Sequence, residues 1–202
     1  MRILGLTGSV GMGKSTAAAM LRRMGVPVYD ADAAVHRMMR RGGSAVAAVA
    51  AAFPGVERNG AIDRAALGQR VFGDAEAMKR LEAIIHPQVR EDERAFLAAM
   101  QRRKAKLVVM DVPLLFESGR QKRYDATIVV TAPAFLQRAR VLARPGMTAA
   151  RVAAIAARQM SDAEKRRRAD VLVPSGLGRA VTWCRLRAVL RALDGANPER
   201  VE

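Results

Sequence analysis

The segment between residues 4 and 16, LGLTGSVGMGKST, combines glycines with a Lys-Ser pair at a spacing that suits polyphosphate chemistry. Four residues separate Gly8 from Gly13-Lys14-Ser15, as in the Walker A loop. Glycines leave backbone N–H groups open to a polyanion, lysine reaches the β- and γ-phosphates, and serine binds Mg²⁺. We therefore expect ATP and Mg²⁺ here. The predicted ATP-binding residues are Gly8, Ser9, Val10, Gly11, Met12, Gly13, Lys14, Ser15 and Thr16.

The elements around this loop match its requirements. Residues 2–7 read as a short buried strand, and residues 14–24 read as a helix that stops at Gly25. The alternative is a glycine-rich turn with a chance Lys-Ser pair, and the strand before it and helix after it argue against that. The loop does not identify the phosphate acceptor, which could be water, a nucleotide, a metabolite or a protein.

Acidic residues follow two further predicted strands. Asp30 and Asp32 come after the strand at 27–29, and Asp111 follows the apolar run 107–110. Ligands of open α/β sheets bind outside the carboxyl ends of the strands, so an acid there can orient a hydroxyl or support Mg²⁺. We favour Asp32 for the proton and assign Asp111 an indirect metal role. Each could instead cap a helix or a turn.

Two other polar residues are candidates for the acceptor site. Glu117 lies in the loop after Asp111, where it could line that site or be a solvated loop acid. His86 precedes Pro87 inside a helical pattern, and the proline predicts that one helix ends near residue 85 and another begins. His86 could contact substrate or simply be packed and hydrogen-bonded.

Alternating strands and helices predict an α/β fold of the P-loop NTPase type. Five strands, at 2–7, 27–29, 107–110, 126–131 and 171–173, indicate a parallel sheet covered by helices on both faces, a three-layer arrangement. Residues 33–103 read as a helical insertion. We assign 1–32, 104–137 and 169–202 to a nucleotide-binding core, and 138–168 to a helical lid.

The net charge of +16 raises the possibility of nucleic-acid binding. Much of the excess lies in residues 137–168, where a cationic segment far along the chain from a phosphate loop suggests a lid over phosphates. Aromatic residues make up only 4%, which is poor for base stacking. We therefore expect no nucleic-acid partner. No signal pattern or membrane-spanning stretch is visible, so we expect a soluble cytoplasmic protein, and the single cysteine, Cys184, is expected to be buried.

Several segments, in order, resemble the dephospho-coenzyme A kinase family over about residues 2–176. Walker A specifies only the superfamily, whereas the joint order of the other segments is much more specific. The matching segments are GLTGSVGMGKST, Tyr29-Asp30-Ala31-Asp32, LEAIIHP at 81–87, DVPLLFE at 111–117, QRAR with Arg144, and then Gln159, Lys165 and Ala169-Asp170.

The resemblance implies an activity: transfer of the ATP γ-phosphate to the ribose 3′-hydroxyl of dephospho-CoA, the last step of coenzyme A synthesis. It implies that the insertion binds CoA and that the lid closes over phosphates. The implied catalytic residues are Asp32, Lys14, Arg140 and Arg144, with Arg140 also on ATP. The implied substrate-binding residues are Asp32, His86, Asp111, Leu114 and Glu117. We expect a monomer or a weak homo-oligomer.

The chain departs from the family pattern twice. Ser9 stands where the family usually has glycine, and VLVPSGLG lacks the expected asparagine, so adenine contacts of Pro174 and Ser175 are in doubt. Three rival hypotheses about the function stay open. They are another small-molecule P-loop kinase, a nucleic-acid-dependent NTPase, and a degenerate nucleotide-binding module.

Overall fold

The chain divides into two compact units in the computed structural model, which describes residues 1–148, 152 and 159–195. The first unit contains Met1–Tyr29 and the chain from Lys104 onward, and the second contains Asp30–Arg103. The second unit is one uninterrupted stretch, so the first is assembled from two separated pieces of chain. The part of the predicted lid at 149–151 and 153–158 lies outside the described residues.

A five-stranded parallel sheet forms the centre of the first unit. Its order is β2-β5-β1-β6-β7, which confirms the predicted parallel α/β fold. In register, Leu4 of β1 is paired with Val109 of β5, and Leu6 with Ile128 of β6. The strands of the described chain are β1 (Arg2–Thr7), β2 (Val28–Asp30), β3 (Glu57–Arg58), β4 (Ala61–Ile62), β5 (Leu107–Asp111), β6 (Ala126–Thr131) and β7 (Val171–Pro174).

Helices α1 and α8 cover one face of this sheet. Leu4 and Leu6 of β1 are fully buried against a cluster that includes Leu21 of α1 and Leu186 of α8. Burial of such aliphatic side chains stabilises a fold by roughly 1.5–3 kcal/mol each. The α-helices of the described residues are α1 (Lys14–Arg23), α2 (Ala31–Met39), α3 (Val46–Ala52), α4 (Arg64–Val71), α5 (Ala75–Arg102), α6 (Ala134–Leu142), α7 (Asp162–Arg168) and α8 (Arg179–Gly195).

The opposite face of β1 accepts close packing because Gly5 has no side chain. A Cβ at Gly5 would lie 2.5 Å from Cδ1 of Leu115 and 2.9 Å from Cδ2 of Tyr124. Leu115 is completely buried there. This contact holds the loop after β5 against the strand that leads into the phosphate loop.

The second unit is helical, with a small antiparallel hairpin of β3 and β4. Asp63 and Asp74 cap α4 and α5 by accepting hydrogen bonds from backbone N–H groups. The predicted break at Pro87 is wrong, because α5 continues through it as one helix of 28 residues. Proline removes one helical hydrogen bond and crowds the preceding turn. Packing of α5 against α2, α3 and α4, with Ile85 and Val89 buried, offsets that loss.

Cys184 is exposed on α8, so the prediction of a buried cysteine is wrong. The buried residues of this helix include Thr182, Leu186 and Val189, which recur at helical spacing on the side that packs on the sheet. Cys184 falls between them in sequence and therefore on a different side. Within the described ranges, no helix has the length and apolar character needed to cross a membrane.

Three hydrogen bonds between Thr127 and Asp170 join β6 to the residue that precedes β7. The N–H and the Oγ1 of Thr127 both donate to Oδ2 of Asp170, at 2.7 Å each. The N–H of Asp170 donates back to Oγ1 of Thr127 at 3.2 Å. Thr127 is buried, so its polar groups depend on this partner.

Asp170→Ala is expected to lower the free energy of unfolding by about 2 kcal/mol, because it leaves buried donors of Thr127 without an acceptor. Urea unfolding followed by circular dichroism measures this. The control is Asp92→Ala, which removes a surface ion pair with Arg37 at 2.9 Å and should cost about 1 kcal/mol or less. Equal losses of unfolding free energy in the two variants would contradict the structural role of the Asp170 carboxylate.

Candidate active site

The predicted phosphate loop connects β1 to α1, the strand–loop–helix context that the motif requires. Gly11 and Gly13 have φ angles of +79° and +87°, in the left-handed region that other residues rarely adopt. A Cβ at Gly11 would also lie 2.5 Å from Cγ2 of Val141 and 2.9 Å from the carbonyl oxygen of Gln137. Conformation and space therefore both require glycine at residue 11.

The first turn of α1 is open to an anion. Gly13 occupies the N-cap position, and no side chain of the described residues caps this helix. Ser15 and Thr16 in this turn are exposed. Uncapped N–H groups and the positive end of the helix dipole together favour a bound phosphate.

An ion pair joins the phosphate loop to the end of β5. Nζ of Lys14 donates to Oδ1 of Asp111 at 2.6 Å, and the Asp111 side chain is only 3% exposed. The pairing of β1 with β5 brings these residues together although 97 positions separate them. The predicted phosphate-binding lysine and the predicted metal-supporting acid thus share one site.

Arg140, predicted to bind ATP, lies against the phosphate loop. Its Nη1 donates to the Gly11 carbonyl at 3.4 Å and to Oγ of Ser175 at 3.0 Å, and its Nη2 donates to the Ser175 carbonyl at 2.9 Å. Oγ of Ser175 in turn donates to the Met12 carbonyl at 2.6 Å. Ser175 lies in the segment VLVPSGLG, which lacks the asparagine expected from the family pattern. It connects the loop after β7 to the phosphate loop.

Glu117 is held by two groups from the segment before and within α7. The Met160 N–H donates to its Oε1 at 2.7 Å, and Nζ of Lys165 lies 2.9 Å from the same oxygen. Burial acts to raise the pKa of Glu117, but the Lys165 ammonium and the backbone N–H groups of Glu117 and Met160 outweigh it. The pKa is therefore below its usual value.

Two glutamines fix the peptide groups of Val10. The Val10 N–H donates to Oε1 of Gln159 at 3.1 Å, and Nε2 of Gln137 donates to the Val10 carbonyl at 2.9 Å. Residues 137 and 159 were visible in the sequence only as points of resemblance, because no local pattern reveals which backbone group a distant glutamine will reach. The same holds for Lys165, whereas Ser175 was noted only in the segment that departs from the family pattern.

The remaining predicted residues lie in three places. Arg144 follows the end of α6 and is exposed, and Leu114 is 42% exposed in the loop after β5. Asp32 lies exposed in the first turn of α2, and His86 lies exposed on α5, both within the second unit. The geometry thus unites Lys14, Asp111 and Arg140 with the phosphate loop.

The family model described as dephospho-CoA kinase matches residues 2–177 of this chain. The chain is 64% identical to the dephospho-CoA kinase of Paramagnetospirillum magneticum, over 98% of this chain and 93% of the relative. It is 53% identical to that of Mesorhizobium japonicum, over 96% and 98%.

A solved structure agrees with these sequence relationships. A Thermus thermophilus protein aligns with a TM-score of 0.82 and 39% identity, covering 96% of this chain and 98% of its own. The order of motifs, the strand–loop–helix phosphate site and the similarity over nearly the whole length lead to one conclusion. The chain belongs to the dephospho-CoA kinase family.

Proposed function

We propose that this protein transfers the γ-phosphate of ATP to the ribose 3′-hydroxyl of dephospho-CoA, giving CoA and ADP. The observation that carries the proposal is the contact between Lys14 and Asp111 beside an uncapped helix N-terminus. This arrangement gathers a cation, backbone donors and a carboxylate where a triphosphate and its metal would bind. Family membership selects the acceptor.

The residues present fit a magnesium ion. Mg²⁺ prefers oxygen ligands and usually takes one or two from protein, the rest from water and phosphates. Ser15 would supply its hydroxyl, and Asp111 would act through water because its Oδ1 already accepts from Lys14. The ion would neutralise charge on the β- and γ-phosphates.

Lys14, Arg140 and Arg144 would act as the cations of the reaction. Phosphoryl transfer depends mainly on positioning and on stabilising charge on the transferred group. Lys14 sits at the start of α1, and Arg140 already contacts the Gly11 carbonyl. We assign the lid role to residues 138–168, whose closure would exclude water and favour transfer over ATP hydrolysis.

Asp32 would accept or orient the proton of the attacking hydroxyl. It lies two residues past the end of β2, and acids beyond the carboxyl ends of parallel strands are suited to meet a ligand. Asp30 has a separate structural task, since its Oδ1 accepts a hydrogen bond from the Ala33 N–H and caps α2. We assign CoA binding to residues 33–103, with His86, Leu114 and Glu117 as further substrate contacts.

The small-molecule substrate and the family favour action in the cytoplasm, as a monomer or a weak homo-oligomer and without nucleic acid. The rival of closest chemistry is a kinase of the same fold acting on another small alcohol. The residues that argue against it are the Asp-Ala-Asp triplet ending at Asp32 and the DVPLLFE segment, because both match one family in order.

Phosphoryl transfer from ATP·Mg²⁺ is expected to require dephospho-CoA and to produce CoA. Chromatography with mass detection follows the product, and adenosine, AMP and no acceptor are the controls. If ATP is consumed only with another acceptor, the phosphate site stands and the substrate assignment fails.

Lys14→Ala is expected to lower kcat/KM by about a hundredfold or more, because it removes a charge aimed at the transferred phosphate. Steady-state kinetics measures this, and a thermal melt checks that the variant folds. Arg23→Ala, at the other end of α1, is the matched control and should retain activity near wild type. Near-normal turnover of Lys14→Ala would refute the role of Lys14.

Asp32→Asn is expected to lower kcat by about 10²- to 10⁴-fold, the usual contribution of a general acid or base, with little change in ATP affinity. Asp30→Asn is the matched comparison, because asparagine caps a helix as well as aspartate and should leave more activity. Unchanged turnover together with collapsed ATP binding would instead make Asp32 a metal or structural residue.

A further inference from the structure

We propose that residues 159–165, hereafter the clasp, position the phosphate site by holding the carboxyl ends of three neighbouring strands of the sheet or the loops that follow them. In this proposal the clasp is the fixed C-terminal end of the segment assigned to the lid. β5, β1 and β6 are adjacent, and a separate loop leaves the carboxyl end of each. Side chains or backbone groups of the clasp contact all three places. This inference goes beyond the assigned roles, and its catalytic consequence depends on the proposed function.

The first contact is with the phosphate loop after β1. Oε1 of Gln159 accepts the Val10 N–H at 3.1 Å, between the motif glycines Gly8 and Gly11. A backbone N–H bonded to a side chain cannot rotate freely, so this contact fixes one peptide of a loop rich in glycine. The loop needs such support because glycine gives it many accessible conformations.

The second contact is with the loop after β5, and it is the contact that buries a charged side chain. Lys165 is completely buried, and the ion pair with Glu117 is the one contact of its Nζ with an acceptor in the described part of the chain. A buried charge is costly unless paired, and removal of one partner leaves the other uncompensated. The Met160 N–H donates to the same Glu117 oxygen at 2.7 Å. Lys165 thus fixes a loop that starts at Asp111, the partner of Lys14.

The third contact is with the end of β6. Oγ1 of Thr131 donates to Oδ2 of Asp162 at 2.8 Å. Asp162 begins α7 and Lys165 follows one turn later, so both side chains project from the same short helix. Displacement of that helix would therefore disturb the loop after β5 and the end of β6 together, and through Gln159 the phosphate loop.

The clasp makes Lys165, Gln159 and Asp162 positioning residues. They touch neither ATP nor acceptor in this proposal, and they act by holding Val10, Glu117 and Thr131. A displacement on the scale of an ångström at a reacting group can cost on the order of a hundredfold in rate. Loss of the clasp should accordingly slow phosphoryl transfer more than it weakens ATP binding.

The test compares Lys165→Met with Lys122→Met in the full-length protein. Methionine keeps the length of the side chain and removes the charge, and Lys122 is an exposed lysine outside the assigned lid and phosphate site. Lys165→Met is expected to lower kcat about ten- to a hundredfold, with KM for ATP changed by less than about threefold. Lys122→Met should leave both constants near wild type.

Hydrogen exchange measured by mass spectrometry gives a readout that does not require dephospho-CoA to be the substrate. In Lys165→Met, peptides covering residues 8–13 and 112–119 should exchange faster than in wild type, whereas peptides from α8 should not change. Unchanged exchange in both loops overturns the clasp even if the wild-type protein phosphorylates dephospho-CoA. Faster exchange without any wild-type activity supports the clasp and refutes the proposed function.

A second variant covers the case in which Lys165→Met does not fold. Gln159→Leu removes the acceptor for the Val10 N–H, at a residue that is half-buried. It should lower kcat severalfold and accelerate exchange at residues 8–13 at a temperature where its melt shows a folded protein. A kcat and an exchange rate both equal to wild type would overturn the proposal.

Discussion

The contact between Lys14 and Asp111 is the interaction on which the rest of the site depends. Lysine at this position has a compact charge on a flexible stem, so its direction must be set by a partner. Asp111 provides that partner because β5 is the neighbour of β1 and both strands point the same way. Exchange of the strand order would separate the two charges and take this ion pair away from a carboxylate that is only 3% exposed.

The absence of a side chain at two glycines lets the surrounding loops approach the Lys14–Asp111 ion pair. Gly5 admits Leu115 and Tyr124 to the surface of β1, and Gly11 admits Val141 and the Gln137 carbonyl to the phosphate loop. Each close approach places a second loop within reach of the first. Arg140 and Ser175 then donate hydrogen bonds to carbonyl groups of the phosphate loop and hold these segments against it. The close packing at the two glycines is therefore necessary, because without it these polar groups would not come within hydrogen-bond distance.

The local parts of this fold were predictable, and the long-range parts were not. The phosphate loop and the caps of Asp63 and Asp74 follow from a few adjacent residues. The continuity of α5 through Pro87 does not, because three packed helices outweigh one lost hydrogen bond. Likewise, no local pattern shows that Lys165 will be buried against Glu117. Local sequence patterns predicted the candidate reacting groups, and tertiary structure determined which residues hold them.

The order of strands also has a consequence for synthesis on the ribosome. β1 leaves the ribosome first, yet both of its neighbours, β5 and β6, are made more than a hundred residues later. The uninterrupted unit Asp30–Arg103 emerges in the meantime and can complete its own local helix packing. The strand that leads into the glycine loop therefore has neither of its sheet neighbours until residue 111 has been made, and it lacks the second until residue 131. A polypeptide released before residue 107 contains the phosphate-loop sequence but has neither strand that pairs with β1.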